Sequence, residues 1–209
     1  MNSAQIVSEE QEGLAIPEKT KKRFGADAMK ITPTHIPDIL ILEPTVFGDE
    51  RGFFFESYNE RIWRKLTGLN ISFVQQNHSR SFSGVLRGLH YQINKPQGKL
   101  VRVIVGEIYD VVVDIRRSST TFGQWFGMRL SAANKKQLWI PAGFAHGFLV
   151  ISDSAEVLYM TTDFWYQRHE RCIKWNDPDL NIDWPLSQPP ILSDKDQRGT
   201  AFNEAELFT

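Results

Sequence analysis

The chain has 209 residues, 41% apolar and 23% charged, with 24 basic and 25 acidic side chains and a formal charge of −1. This size favours one domain, or one domain with a short arm, and the near-neutral balance argues against a protein built to coat nucleic acid. No apolar run approaches the roughly 20 residues that cross a bilayer, and the single cysteine, Cys172, excludes an intrachain disulfide and points to a reducing, cytoplasmic setting.

Residues 1–29 carry scattered charge and few large apolar side chains. They read as an N-terminal extension ahead of a domain over 30–209, and they lack the basic-then-apolar pattern of a secretory signal. Strands are expected at 39–42, 53–57 and 71–77. Between the last two, a short helix is expected over 59–66, capped by Asn59 and stopped by Gly68. In the segment 99–105, Lys99, Val101, Val103 and Val105 share one face. Gly106 then turns the chain into a strand at 107–114. Further strands are expected at 125–130, 137–140, 144–152 and 156–162, separated by glycine and proline turn signals. Many short strands at this spacing predict an all-β sandwich or barrel, with a jelly roll as the leading form. The tail past Pro178 reads as loop-rich.

Several chemistries are missing. There is no glycine-rich phosphate loop, no dinucleotide fingerprint and no nucleophile elbow. The histidines, His35, His78, His90, His146 and His169, form no closely spaced ligand pair, and Gln92 stands two residues after His90. Neutral glutamine is a poor transition-metal ligand, so neither metal nor redox cofactor is expected.

Three polar stretches interrupt segments that should be apolar. They are Gly48 to Ser57, then Gln75-Gln76-Asn77 followed by Arg87-Gly88-Leu89-His90-Tyr91-Gln92, and Pro141-Ala142-Gly143-Phe144-Ala145-His146-Gly147-Phe148 followed by the strand bearing Tyr159. Several polar groups on core strands each require a partner, which suggests a site rather than scattered structural residues. Tyr159 shares strand parity with Ala155 and Val157 and should point inward. Lys99 begins a valine face, which suggests the mouth of a barrel. Arg87 and His90 differ by an odd number, so a flat strand would set them on opposite faces; a bulge at Gly88 would reconcile them.

Together these motifs resemble the deoxythymidine-diphosphate-4-keto-6-deoxyglucose 3,5-epimerases, a family of cupin-type jelly rolls. The pairing of Arg87-Gly88-Leu89-His90-Tyr91-Gln92 with Pro141-Ala142-Gly143-Phe144-Ala145-His146-Gly147-Phe148 carries the resemblance, which runs from about residue 30 to 202. The resemblance implies a general base at His90, a carboxylate partner at Asp196 and a tyrosine acid at Tyr159. Lys99 would face the enolate. Substrate binding would fall to Arg51, Glu56, Gln75, Gln76, Asn77, Arg87, His146, Trp165, Glu170 and Lys195. Two positions depart from the family pattern: Gln76 stands where an aspartate is common, and Trp165 where a tyrosine stacks on the thymine.

The implied substrate is a dTDP-linked 4-keto-6-deoxyhexose. Its hydrogens at C3 and C5 both lie α to the carbonyl, so either can leave as a proton to give an enolate without a cofactor. The implied reaction inverts both carbons. A C3-only epimerase, a cupin sugar ketoisomerase and a nonenzymatic sugar-nucleotide-binding module are the alternatives. Family members pair as homodimers, and a strand such as 39–42 is expected to fill a partner's sheet edge.

Overall fold

The computed structural model describes residues 29–209. The expected N-terminal extension therefore lies outside the described residues, except Met29, which opens the first strand. Two antiparallel sheets dominate. One has the neighbour order β1 (Met29–Pro33), β2 (Leu40–Pro44), β10 (Gln137–Ile140), β7 (Lys99–Val105), β12 (Ser154–Thr161) and β5 (Gln75–Phe82). The other runs β13 (Glu170–Cys172), β6 (Leu86–Gln92), β11 (Phe144–Val150), β8 (Glu107–Asp114) and β9 (Trp125–Ser131). A separate hairpin joins β3 (Phe47–Asp49) to β4 (Gly52–Phe54). The arrangement is the expected all-β, cupin-type jelly roll.

Strand period explains the layers. Val101, Val103, Ala155 and Val157 from the first sheet meet Ile108, Val112, Phe148 and Val150 from the second in one buried core. Their alternate neighbours face outward but are also covered. Val111, Val113, Ala145 and Leu149 pack under the C-terminal tail, through Leu180, Trp184, Phe202 and Leu207. Leu42, Leu100 and Trp139 pack with Trp63 of helix α1 (Glu60–Thr67). Each fully buried aliphatic side chain in these layers contributes about 1.5–3 kcal/mol of transfer free energy.

Helix α1 forms as its sequence suggests. Asn59 accepts from the backbone N–H groups of Arg61 and Ile62, and Gly68 closes the helix in the left-handed conformation. Strand limits differ in places. The segment expected at 71–77 is paired only from Gln75 and continues to Phe82, and that expected at 53–57 stops at Phe54. The tail is loop-rich but not loose: it carries α2 (Asp194–Gln197) and isolated bridges Ile173↔Thr200 and Arg116↔Phe208. One expectation is corrected. The strand at Leu40–Pro44 is hydrogen-bonded on both sides within its own chain, by β1 and β10, and so cannot fill a partner's edge. The open edges of that sheet are β1 and β5.

Candidate active site

A cavity of about 320 Å³ opens between the sheets. Gln75, Asn77, Arg87, His90, Lys99, His146, Tyr159, Trp165, Glu170 and Lys195 all line it, ten residues expected from the sequence. His90, from β6, and Tyr159, from β12, enter from opposite sheets.

The parity conflict between Arg87 and His90 is resolved by an irregularity in β6. His146 of β11 pairs with His90 and Phe148 pairs with Arg87, so Gly88 and Leu89 together oppose the single residue Gly147. The Gly88–Leu89 peptide is cis and Gly88 has φ +117°. A Cβ at Gly88 would sit 2.6 Å from the Gly147 Cα, so only glycine fits here. The bulge turns both Arg87 and His90 into the cavity.

His90 is anchored from behind. Its Nε2 lies 2.5 Å from Asp196 Oδ1. That oxygen also accepts from the Gly88 backbone N–H at 3.2 Å, while Ser193 Oγ donates to Asp196 Oδ2 at 2.6 Å. Asp196 is only 3% exposed. Burial alone would raise its carboxyl, but the hydrogen bonds from His90, Ser193 and Gly88 outweigh this and hold it well below the usual carboxylate range. Burial lowers the His90 pKa more than Asp196 raises it, so the ring rests neutral. With Nε2 turned to Asp196, Nδ1 is the nitrogen left to accept a proton.

The opposite wall differs in character. Burial raises the Tyr159 pKa, with Arg87 opposing, so the phenol keeps its proton at neutral pH. Lys99 is buried, and desolvation lowers its pKa to about 8 against the pull of Asp110 and Glu170. Its Nζ donates to the His90 carbonyl at 3.5 Å. On the His90 side, Arg87 of the same strand donates to Ser81 Oγ at 2.9 Å, and Lys195 is held by Glu170 at 2.9 Å. His146 bonds buried Asp110 at 2.8 Å. At the mouth, Trp165 is 51% exposed, and its backbone N–H donates to Gln75 Oε1 at 3.0 Å.

Three expected residues do not reach this cavity. Gln76 alternates with Gln75 and Asn77, so strand period sends it to the outer face beside Tyr58, Arg102 and Met160. Arg51 stands on the exposed β3–β4 hairpin, ion-paired with Asp49. Glu56 accepts from the Asn59 side chain at 3.1 Å. Sequence reasoning in turn missed Ser79, Gln97 and Phe148 in the lining, and Ser193 and Asp110 behind it. Ser79 was available by extending the Gln75, Asn77 alternation. Asp110 was visible as an acid between Ile108 and Val112 on a core face, and Ser193 as the cap of a Ser-x-x-Asp turn.

Fold and cavity define a class: a cupin-type jelly-roll isomerase. Family comparison narrows it. The family model for dTDP-4-dehydrorhamnose 3,5-epimerase matches residues 33–204, and the chain belongs to that family. It is 64% identical over 180 residues to the dTDP-4-dehydrorhamnose 3,5-epimerase of Pseudomonas aeruginosa, covering 86% of this chain and 99% of that one. It is 58% identical to the Shigella flexneri enzyme of the same name, over 86% and 99% of the two chains. Among solved structures, the 3,5-epimerase of Legionella pneumophila in complex with dTDP-4-keto-L-rhamnose superposes with a TM-score of 0.84 at 50% identity, over 85% and 95% of the chains. A 3′-monoepimerase from Streptomyces bikiniensis superposes with a TM-score of 0.78 at 32% identity, over 82% and 87%.

Proposed function

We propose that the His90–Asp196 pair and Tyr159 carry out epimerisation at C3 and C5 of dTDP-4-keto-6-deoxy-D-glucose, giving dTDP-4-keto-L-rhamnose. The observation that carries this reading is that the His90 imidazole on one sheet and the Tyr159 phenol on the other line one cavity, with burial lowering the pKa of the first and raising that of the second. His90 Nδ1 takes the proton from the carbon α to the ketone. The electron pair moves into the ring and onto the C4 oxygen, where the Lys99 ammonium stabilises the enolate. Tyr159 returns a proton from the opposite face, which inverts the centre, and solvent restores both groups. The cycle repeats at the second carbon.

Arg87 and Lys195 supply cationic contacts for the diphosphate, with Gln75, Asn77, His146 and Glu170 completing the polar lining. Trp165 stacks on the base, since tryptophan presents at least as large a face as tyrosine. Higher identity to 3,5-epimerases than to the 3′-monoepimerase favours inversion at both carbons over C3 alone. The single free thiol of Cys172 fits a reducing, cytoplasmic setting.

The functional unit in this reading is a homodimer. The β3–β4 hairpin holds Phe53 at the surface, 64% exposed beside the Lys135 ammonium and the Phe55 ring, an apolar face that a second copy would cover. Arg51 and Glu56, which lie on and beside that hairpin, would then serve the cavity of the second copy. Light scattering should give twice the chain mass; a monomer mass at every concentration overturns the dimer.

The function is tested by incubation with the 4-keto substrate in heavy water. Deuterium should enter both C3 and C5. Exchange at C3 alone selects the monoepimerase, a shifted carbonyl carbon selects the ketoisomerase, and no exchange leaves only a binding module.

A further inference from the structure

Behind the imidazole, on the side away from the cavity, three different donor atoms converge. A His90 ring nitrogen, Cys172 Sγ and an Asp196 carboxylate oxygen all lie within 4.8 Å of one another, the one such group among the described residues. Strand pairing holds two of them together, because Cys172 of β13 is the register partner of His90 on β6. Cys172 Sγ is 3.9 Å from the same Asp196 Oδ1 that holds the ring. We propose that this triad is an inhibitory zinc site, in which the metal takes the seat of the hydrogen shared by His90 and Asp196. The effect on turnover rests on His90 being the base; the binding itself does not.

The donor set is one imidazole, one thiolate and one carboxylate, which suits zinc and is wrong for magnesium or calcium. Zinc bonds of about 2.0–2.3 Å in a tetrahedral site need donor separations of about 3.3–3.7 Å. The sulfur already stands close to that distance from the carboxylate. The histidine and aspartate must part by about 1 Å, which breaks the hydrogen bond and leaves water as fourth ligand.

The proton balance explains the inhibition. The thiol proton leaves to solvent as the Zn–S bond forms. The Nε2 proton moves to Nδ1, since a neutral ring keeps one. Metal, thiolate and carboxylate then sum to zero charge, which suits a buried place. The cost falls on Nδ1, which becomes a donor and can no longer accept a proton from the sugar.

The test uses the full chain. Zinc should inhibit turnover, a chelator should restore it, and magnesium at equal concentration should do nothing. Cobalt(II) should give a near-ultraviolet thiolate-to-metal band and visible tetrahedral bands. Cys172→Ser should keep its turnover, lose the ultraviolet band, and need at least about tenfold more zinc for inhibition, the lower end of what even an outer-shell change costs a metal site. Cys172→Ala, with its thermal unfolding checked, stands in should the serine variant fold poorly. Equal zinc sensitivity in the variants, or a cobalt spectrum without the thiolate band, overturns the site. The cobalt spectrum is read without substrate, so failure of the metal site and failure of the proposed reaction remain distinguishable.

Discussion

Ser193 and Asp196 hold each other. The serine hydroxyl donates to Asp196 Oδ2 at 2.6 Å, and the Asp196 backbone N–H donates to the same hydroxyl at 3.2 Å. Ser193 is also the N-cap of α2. One side chain thus starts a short helix and fixes the carboxylate on which His90 turns.

Ser193→Ala should therefore lower kcat about tenfold, in line with the 1.5–3 kcal/mol attached to a hydrogen bond on a charged group, with KM little changed. Losing a donor makes Asp196 more basic, so it supports the imidazolium better, and the acid limb of the rate profile should move to higher pH. Ser193→Thr should recover most of the rate. A KM effect alone would show that the serine acts on binding and not on the dyad.

Asp196→Asn should be far more severe. The amide cannot stabilise an imidazolium, and it presents a donor where His90 expects an acceptor. A loss of kcat of at least about 10²-fold is expected, the scale of a positioned base, with circular dichroism unchanged. Turnover within a few-fold of the parent would remove Asp196 from the mechanism.

The pH profile of kcat/KM should be a bell. On the acid side, burial sets the His90 pKa below its ordinary 6.5, against Asp196 and with Lys195 and Lys99 adding to the lowering. The neutral base is lost only as pH falls through that lowered value. On the alkaline side, Lys99 loses its charge near pH 8, despite Asp110 and Glu170. Activity should fall as pH rises through that point. In Lys99→Met the alkaline limb at that position should disappear together with most of the rate; an unmoved limb would assign it to another group.

Tyr159→Phe should separate the two halves of the reaction. Proton abstraction by His90 survives, so deuterium from solvent should still enter the substrate with retained configuration. Inversion should fall by about 10²-fold or more, the lower range for a lost general acid. Equal losses of exchange and inversion, measured by NMR, would mean that Tyr159 acts in abstraction as well.

Trp165→Ala should raise KM about tenfold with kcat nearly constant, since stacking on a base is worth about 1–3 kcal/mol. Trp165→Tyr should bind almost as well as the parent. A change in kcat without one in KM would place the indole elsewhere than on the nucleotide.

Much of this was legible in the residues. Strand period found the inward faces of β12 and of β7 as far as Val103, and with them Tyr159 and Lys99, because buried alternation has a direct physical cause; Val105, expected on the same face, is 44% exposed. The cap pair Asn59 and Gly68 located α1 for the same reason. Limits failed where pairing, not propensity, decides: residues 71–74 are apolar enough for a strand, yet ladder pairing with β12 begins only at Gln75. The second core under the C-terminal tail was invisible because Leu180, Trp184 and Phe202 follow no period. Gln76 entered the candidate set by likeness alone, although its parity with Gln75 already excluded it from the same face.

The dyad is closed over 106 residues of sequence, by a loop-rich tail that follows the thirteen strands of the described residues. A nascent chain that has emerged only as far as β13 holds every strand of the described residues and all of the cavity lining but Lys195, yet its histidine has no carboxylate behind it. The same tail also covers Val111, Val113, Ala145 and Leu149 through Leu180, Trp184, Phe202 and Leu207, so the segment that seals the second core is the one that orients the base, and no chain lacking it has either.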